Sequence, residues 1–336
     1  MTTNELPTPP AGVTMPPAAP PTGIPVPAPP TGIPVPAPPA GIPAAEVEID
    51  EPGVRELLRA QHPDLAALPL THVATGWDNT TYRLGDEFAV RLPRISAAVD
   101  LLRKEQQWLP VLAPRLPVPV PVPVRRGEPG PGFPWPWSVV RWVPGRSAEH
   151  ESLSPGEAAL FGRLLAAVHR PAPPDAPRND YRGVPLETRD EMVLSRIDRL
   201  AGTATAADVP LAAVRDRWRR VSSVPRDVEE TWIHGDLHPK NLVVDGGRLA
   251  AVLDWGDMTV GDPATDLAAA WMLFPTAAHA RVWDGYGSVS AATLLRAEGW
   301  ALLFGVVLLD TGLSNDPPFA RIGRLTLDRL VGDGTD

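Results

Sequence analysis

The chain has 336 residues, no cysteine and a formal charge of −9. That length can fill two lobes with a sizeable core, and the missing cysteine excludes disulfides, thiolate metal ligands and thiol redox chemistry. The acidic balance argues against nucleic acid as the main partner and suits a small cationic one.

The first residues lack a basic segment followed by an apolar stretch, and no run reads as the roughly 20 apolar residues that cross a bilayer. A cytoplasmic protein with no membrane partner is expected. Residues 1–45 form a compositional region of their own. The unit Ala-Pro-Pro-Thr-Gly-Ile-Pro-Val-Pro fills 19–27, repeats at 28–36 and decays over 37–45. Such a proline repeat cannot build ladders or a core, and predicts a disordered, polyproline-II-biased tail. It reads as a spacer, a ligand for a proline-binding domain, a dispensable expansion or the product of a mistaken start site.

From Glu46 the pattern becomes globular. Glu51 to Gln61 predicts a short helix. Leu70–Ala74, Thr80–Leu84 and Phe88–Leu92 predict three strands, with the loop Thr75-Gly76-Trp77-Asp78-Asn79 between the first two. A turn centred on Gly85-Asp86 sets Arg91 opposite Thr80, next to the glycine-bearing loop. A cation beside loop amides can cradle phosphates, so Gly76, Asn79 and Arg91 are candidate nucleotide contacts. Ala97 to Leu112 predicts a helix, with Leu101, Leu102, Glu105, Trp108 and Leu109 at helical spacing.

Residues 117–124 alternate Pro and Val, which removes every N–H along one edge and allows only an edge strand or a polyproline stretch. Trp137 to Gly145 reads as a strand entering a turn. Trp135, Trp137 and Trp142 fit core packing better than a base pocket. Helices are expected at 157–169 (entered by Ser154-Pro155), 262–272 and 291–310. The loop-rich stretches 171–190 and 314–319 would border an acceptor site. Their acidic residues, with Asp284 and Asp310, could meet substrate ammonium groups or simply be solvated.

The most informative run is His234-Gly-Asp-Leu-His-Pro-Lys-Asn241, followed by Asp254 within Val252-Leu-Asp-Trp-Gly256. Phosphoryl transfer needs one carboxylate to orient a hydroxyl and accept its proton, and oxygen ligands for Mg²⁺ on nucleotide phosphates. Asp236 suits the first task, Asn241 and Asp254 the second. Leu242–Asp245 and Arg248–Leu253 flank Gly246-Gly247, a hairpin signal. With that pair as the turn, Asp245 faces Arg248 and Asn241 faces Val252. Asp254 lies two residues further on the same face, roughly 7–8 Å from Asn241 at the backbone and within reach of one ion. A rival reading takes the alternating His234, Asp236 and His238 as zinc or iron ligands, but leaves Asn241, Asp254 and the hairpin unexplained. His234 alone reads as a buried structural histidine. Asp257 and Asp262 suit capping or turns as readily as a site.

The stretch from Trp232 to Phe274, including Gly261-Asp-Pro-Ala-Thr-Asp-Leu-Ala268, resembles the aminoglycoside phosphotransferase family. The resemblance implies an α+β, two-lobed, protein-kinase-like fold. Its small antiparallel β lobe would span 46–140 and its larger helical lobe 141–331. It implies Asp236 as catalytic base, Asn241 and Asp254 as Mg²⁺ ligands, and Asp266 as a brace for the catalytic loop. It makes the strand near Arg141 and Val143 the hinge that hydrogen-bonds the base of ATP or GTP, and Glu105 the partner of the strand cation. The chain departs from the family in having Arg91 where a lysine is usual. With lysine only at 104 and 240, drift to arginine is plausible, since arginine also neutralises phosphate, with a larger fork. The implied acceptor is a small-molecule hydroxyl: an aminoglycoside first, then a macrolide, homoserine or a choline-like alcohol. A nucleotide-binding pseudoenzyme is the alternative.

Overall fold

The computed structural model describes residues 42–203 and 208–332. The proline repeats expected as a disordered tail lie outside the described residues, apart from the last few positions. The globular part takes hold before the expected boundary at Glu46. The Pro43 carbonyl accepts from Arg94 Nη2 (3.1 Å), and the Glu46 N–H donates to the Arg94 carbonyl (2.9 Å).

Helix α1 (Glu51–Gln61) starts where Asp50 Oδ1 accepts from the Gly53 N–H at 2.9 Å, with Pro52 in the first turn. It buries Val54, Leu57 and Leu58. These pack on a five-stranded antiparallel sheet of β1 (Leu70–Thr75), β2 (Asn79–Leu84), β3 (Phe88–Pro93), β4 (Pro123–Gly127) and β5 (Trp137–Arg141), in the order β1-β2-β3-β5-β4. Alternation along β2 turns Tyr82 and Leu84 inward, where they meet Val90, Leu92 and Val139. The proline-bearing β4 occupies the edge, as its missing N–H groups require. Trp137 is fully buried in this core and Trp135 packs against it.

A second, larger core holds α3 (Ala158–Val168), α4 (Asp190–Ala201), α5 (Leu211–Val221), α6 (Ala264–Leu267), α7 (Ala269–Leu273), α8 (His279–Tyr286), α9 (Ala291–Asn315) and α10 (Pro317–Val331). The helix α2 (Ala97–Leu112) joins the two lobes: its early turns face the small sheet, while Trp108, Leu109 and Leu112 enter the larger core. The expected helix over 262–272 is split into α6 and α7. Asp262 stays outside it and accepts the Ala264 N–H (3.1 Å).

Helix α9 runs past the expected end to Asn315, so the stretch 314–319 is almost wholly helical. Contrary to the sequence expectation, Ala291–Ser314 is long and apolar enough to cross a membrane, with a mean hydropathy of 1.6. Its surroundings account for that, since 72% of the apolar window is buried, packed by α4, α5, α6 and α10.

Two small sheets carry the motif: β7 (Thr231–Ile233) with β10 (Thr259–Gly261), and β6 (Arg146–Ser147) with β8 (Leu242–Asp245) and β9 (Arg248–Val252). Two registers differ from expectation by one residue. The β2–β3 connection is a three-residue loop, Gly85–Glu87, with Gly85 at φ 61°, so Arg91 faces Thr81 and not Thr80. In the β8–β9 hairpin Asp245 does face Arg248, but a bulge admits Ala250, Leu242 pairs with Val252, and Asn241 meets Leu253.

Candidate active site

The run 234–241 links β7 to β8, and buried side chains fasten its backbone. Asp266, fully buried in α6, accepts from the His234 N–H through Oδ2 (2.7 Å) and from the Gly235 N–H through Oδ1 (2.8 Å). Gly235 has φ 86°, a conformation that glycine takes without strain. The same Oδ2 lies 3.2 Å from His169 Nε2, whose Nδ1 is 2.9 Å from the Tyr286 hydroxyl. Burial, then the carboxylates of Asp266 and Asp262, push the Tyr286 phenol up to about 12, so it stays a donor. His234 is closed off as a metal ligand. Its Nδ1 accepts the Asp236 N–H (3.2 Å) and its Nε2 meets the Leu253 carbonyl (3.0 Å). Among the described residues no three His, Cys, Asp or Glu side chains form a metal-holding group, so the zinc alternative has no ligand set.

Beyond the shifted pairing, Asp254 makes a turn of its own. Asp254 is the one non-glycine residue with positive φ (57°) among the described residues, a conformation that aspartate tolerates better than most. The Asn241 carbonyl accepts the Leu253 N–H (2.7 Å), fixing Asn241 beside the residue before Asp254. Asn241 Nδ2 donates to the Asp236 carbonyl (2.9 Å), leaving Oδ1 as the acceptor end of the amide.

From the small lobe, Arg91 Nη1 donates to Glu105 Oε2 (2.7 Å) and Nη2 lies 4.0 Å from Asp254 Oδ1. Glu105 Oε1 accepts the Trp255 N–H (2.8 Å), so a single buried carboxylate ties strand β3 to the turn after the fork. Lys104, its neighbour on α2, has its ammonium pKa lowered by burial. Lys240 is held by Asp316 and Glu149 and lies 3.7 Å over the Phe319 ring.

Asp236 has partners on both oxygens. Oδ1 accepts from Arg182 Nη2 at 2.7 Å, while Oδ2 lies 3.3 Å from His238 Nε2 and 3.5 Å from Asn241 Nδ2. Burial alone would raise its pKa, but Arg182, followed by His238 and His234, holds the carboxyl well below the usual carboxylate range. Arg182 also reaches Asp257 Oδ2 (3.4 Å), and Asn179 Nδ2 holds Asp257 Oδ1 (2.9 Å). Asp78, in the β1–β2 loop, shows the opposite shift. Burial, then the negative charges of Asp254, Asp257 and Asp236, push it up to about 6, with Arg91 opposing.

The β1–β2 loop is tight: the Gly76 N–H donates to the Asn79 carbonyl (2.8 Å), leaving Trp77 and Asp78 at its tip. The buried Arg94 pins it, with Nη1 donating to the Gly76 carbonyl (3.0 Å) and its own N–H to the Asp78 carbonyl (2.8 Å). A Cβ at Gly76 would meet only the Asn79 carbonyl at 3.5 Å, an ordinary contact, so the protein's own packing does not demand glycine there. Asn79 Oδ1 is buried without a partner among the described residues.

At the end of β5, the Trp142 N–H donates to the Glu87 carbonyl (2.7 Å). Alternation along a β-ribbon therefore turns the backbone groups of Arg141 and Val143 to the opposite edge. The Arg141 side chain lies outside the site, 3.6 Å from Glu87 and over the Phe88 ring. The Trp142 ring lies under Arg83. Of the anticipated acidic acceptor contacts, Asp310 is taken by Arg196 (2.6 Å) and Arg199 (2.7 Å).

Sequence reasoning missed Arg182, Asn179, Asp78, His169 and Tyr286 as parts of this arrangement. Asp78 lay in the glycine-bearing loop, and Asn179 and Arg182 in the stretch 171–190 expected to border an acceptor, but none was given a role. The others come from segments whose proximity to the motif no local pattern announces.

The sequence profile described as the phosphotransferase enzyme family matches residues 69–300. Over 180 residues the chain is 29% identical to viomycin phosphotransferase of Streptomyces vinaceus, covering 48% of this chain and 55% of that protein, so it spans about half that relative's length. Among solved structures, the GDP complex of an aminoglycoside 2′-phosphotransferase superposes with a TM-score of 0.62 at 17% identity, covering 84% of this chain and 99% of the other. A macrolide 2′-phosphotransferase from Brachybacterium faecium gives 0.53 at 19% identity, with 85% and 98% covered. At these identities the structural likeness establishes a kinase-like fold: an antiparallel sheet lobe on a helical lobe.

Proposed function

Because the chain belongs to the phosphotransferase enzyme family, we propose that it transfers the γ-phosphoryl group of ATP or GTP to a hydroxyl of a small molecule. The observation that carries this reading is the convergence on one cleft of an ionised Asp236, the Asn241–Asp254 fork and the Arg91–Glu105 pair.

The acceptor oxygen forms its bond to the γ-phosphorus as the bond to the bridging oxygen breaks, and the hydroxyl proton passes to Asp236. A carboxylate with so low a proton affinity orients the hydroxyl through most of the reaction and takes its proton late, which suits a loose transition state. Asn241 and Asp254 present hard oxygen donors that fit Mg²⁺. When bound there, Mg²⁺ would supply charge neutralisation on the phosphates. Arg91, steadied by Glu105, neutralises phosphate from the small lobe, and the open face of Gly76 leaves room for phosphate against the loop. The outward backbone edge at Arg141 and Val143 is where the purine base would hydrogen-bond. The alternative of a nucleotide-binding pseudoenzyme does not explain why Asp236 is fixed and kept ionised.

Antibiotic acceptors come first, since the similar proteins are named for aminoglycosides, viomycin and macrolides. One observation favours an acceptor with little positive charge, such as a macrolide, over a polycation. Asp257 and Asp310 are already paired with arginines, and two cations stand in the segment before α4, Arg182 in its loop and Arg189 at the end of a short 3-10 turn. The test is a nucleotide-consumption screen with ATP and GTP over aminoglycosides, viomycin, macrolides, homoserine and choline, with the product checked for one added phosphoryl group by mass. Tight nucleotide binding with no phosphorylated product on any acceptor would establish the pseudoenzyme.

A further inference from the structure

We propose that Arg182 is a positioning residue for the transfer step, holding the Asp236 carboxylate by Oδ1 in the orientation from which it engages the acceptor hydroxyl. The proposal rests on the reading of Asp236 as the base, and deepens it with a residue outside the 234–254 motif.

The placement of Arg182 is built, unlike that of a surface ion pair. The next residue, Gly183, has φ 68°, and a Cβ there would come within 2.7 Å of the Gly261 Cα and of Ile233 Cδ1. Its carbonyl accepts the Asp262 N–H (3.0 Å). The backbone is thereby clamped between β7 and the end of β10, at a point where any side chain would force it away. The Arg182 stem packs against Gly235, where an added Cβ would meet Arg182 Cβ at 3.3 Å. Its guanidinium carbon lies 5.4 Å from the Phe304 ring centroid, a cation–π arrangement that fixes the plane of the fork. Asp257, itself held by Asn179, takes a second share of Nη2. The side chain is thus constrained by a pinned backbone, a ring face and a second carboxylate before it reaches Asp236.

Arg182 supplies the shortest contact that Asp236 makes: 2.7 Å, against 3.3 and 3.5 Å on Oδ2. Without it Oδ1 loses its partner, and the carboxylate is free to turn about its Cβ–Cγ bond. The ionisable groups facing Asp236 are Arg182 and Asp257, His234 and His238 of its own loop, and Asp78 from the small lobe.

The experiment compares Arg182→Gln, Arg182→Ala and Arg182→Lys with wild type. It measures kcat, acceptor KM and nucleotide Kd, all per folded molecule. Loss of positioning should lower kcat by about 10²-fold in the Gln and Ala variants, the scale of a small misplacement of a reacting group, with acceptor KM and nucleotide Kd unchanged. Lysine keeps the charge and one donor but loses the fork, so it should recover part of the lost kcat. If Arg182→Ala fails to fold, Arg182→Lys and Arg182→Gln still decide the question through the same split between kcat and binding. Variants that melt earlier but keep kcat would reduce Arg182 to a structural residue and overturn the proposal. A wild-type protein that phosphorylates no acceptor would instead overturn the phosphotransferase reading, and this proposal with it.

Discussion

Asp236 and Asp78 face one cleft from opposite lobes, and their surroundings drive the same side chain in opposite directions. Asp236 belongs to a loop sewn down by Asp266, His234 and Asn241, and Arg182 overrides the burial that would protonate it. Asp78 belongs to a two-residue tip held by Arg94 through its backbone alone. Its carboxyl is buried toward three other carboxylates, with Arg91 opposing them and no close arginine pair like that of Asp236. Burial pushes both carboxyls toward the protonated form, and the close pair with Arg182, joined by the histidines, is what reverses the direction at Asp236. Asp236 is therefore held ionised, while burial and three neighbouring carboxylates favour a proton on Asp78.

That contrast can be broken most sharply at its fixed side. Asp236→Asn keeps the size but removes the base and one of the two acceptor oxygens, and should lower kcat by about 10²–10⁴-fold while nucleotide affinity holds. Equal turnover in the two proteins would remove Asp236 from the chemistry.

Arg91→Ala tests the small-lobe cation. It strands a buried Glu105, and breaking a buried pair costs about 3–5 kcal/mol, which denaturant titration would read as lowered stability. Arg91→Lys should recover much of that stability and of the nucleotide affinity. If Arg91→Ala binds nucleotide as well as wild type, another cation serves the phosphates, and Lys104 is the first to examine.

A smaller effect is expected from Asp254→Asn, chosen because asparagine tolerates the left-handed backbone at φ 57°. The Mg²⁺-dependent gain in nucleotide affinity should fall by at least the roughly 10–100-fold that even an indirect metal partner contributes. Calorimetry with and without Mg²⁺ measures it, and an unchanged metal dependence would place the ion elsewhere.

The smallest effect sharpens the comparison at Asp78. Its folded pKa of about 6 lies above the ordinary 3.8, so its contribution to stability is full below about pH 4 and is lost as pH rises to about 6. Melting curves of the metal-free protein across that window should show a downward slope with rising pH that Asp78→Asn lacks. Parallel curves for the two proteins would mean that Asp78 titrates normally.

Much of the fold was legible in the sequence because its signals are local. Asp50 and Pro52 announce α1, alternation announces β2, and the Pro-Val run could go only to a sheet edge. The motif from His234 to Asp254 likewise announced the family in its spacing. What misled were two insertions of a single residue, Glu87 in the β2–β3 loop and Ala250 in the β8–β9 bulge. Each shifts pairing by one position, and turn residues alone do not distinguish the alternatives. After the second shift Asp254 leaves the strand with its own backbone angle, which the strand pattern did not announce. Arg182, His169 and Tyr286 were out of reach for another reason. Each acts on the motif across a long sequence separation, and an arginine in a loop or a histidine at a helix end has no distinguishing pattern until the chain folds.

Helix α9 has a consequence for how this chain is made. Its apolar face is completed only by α10, the segment that follows it in the sequence. While the polypeptide is emerging from the ribosome, α9 is therefore available before that cover exists, presenting the face of Gly305, Leu309 and Gly312 to any hydrophobic surface in reach. Chains interrupted between the two helices would expose a sticky segment that chaperones bind and that drives aggregation.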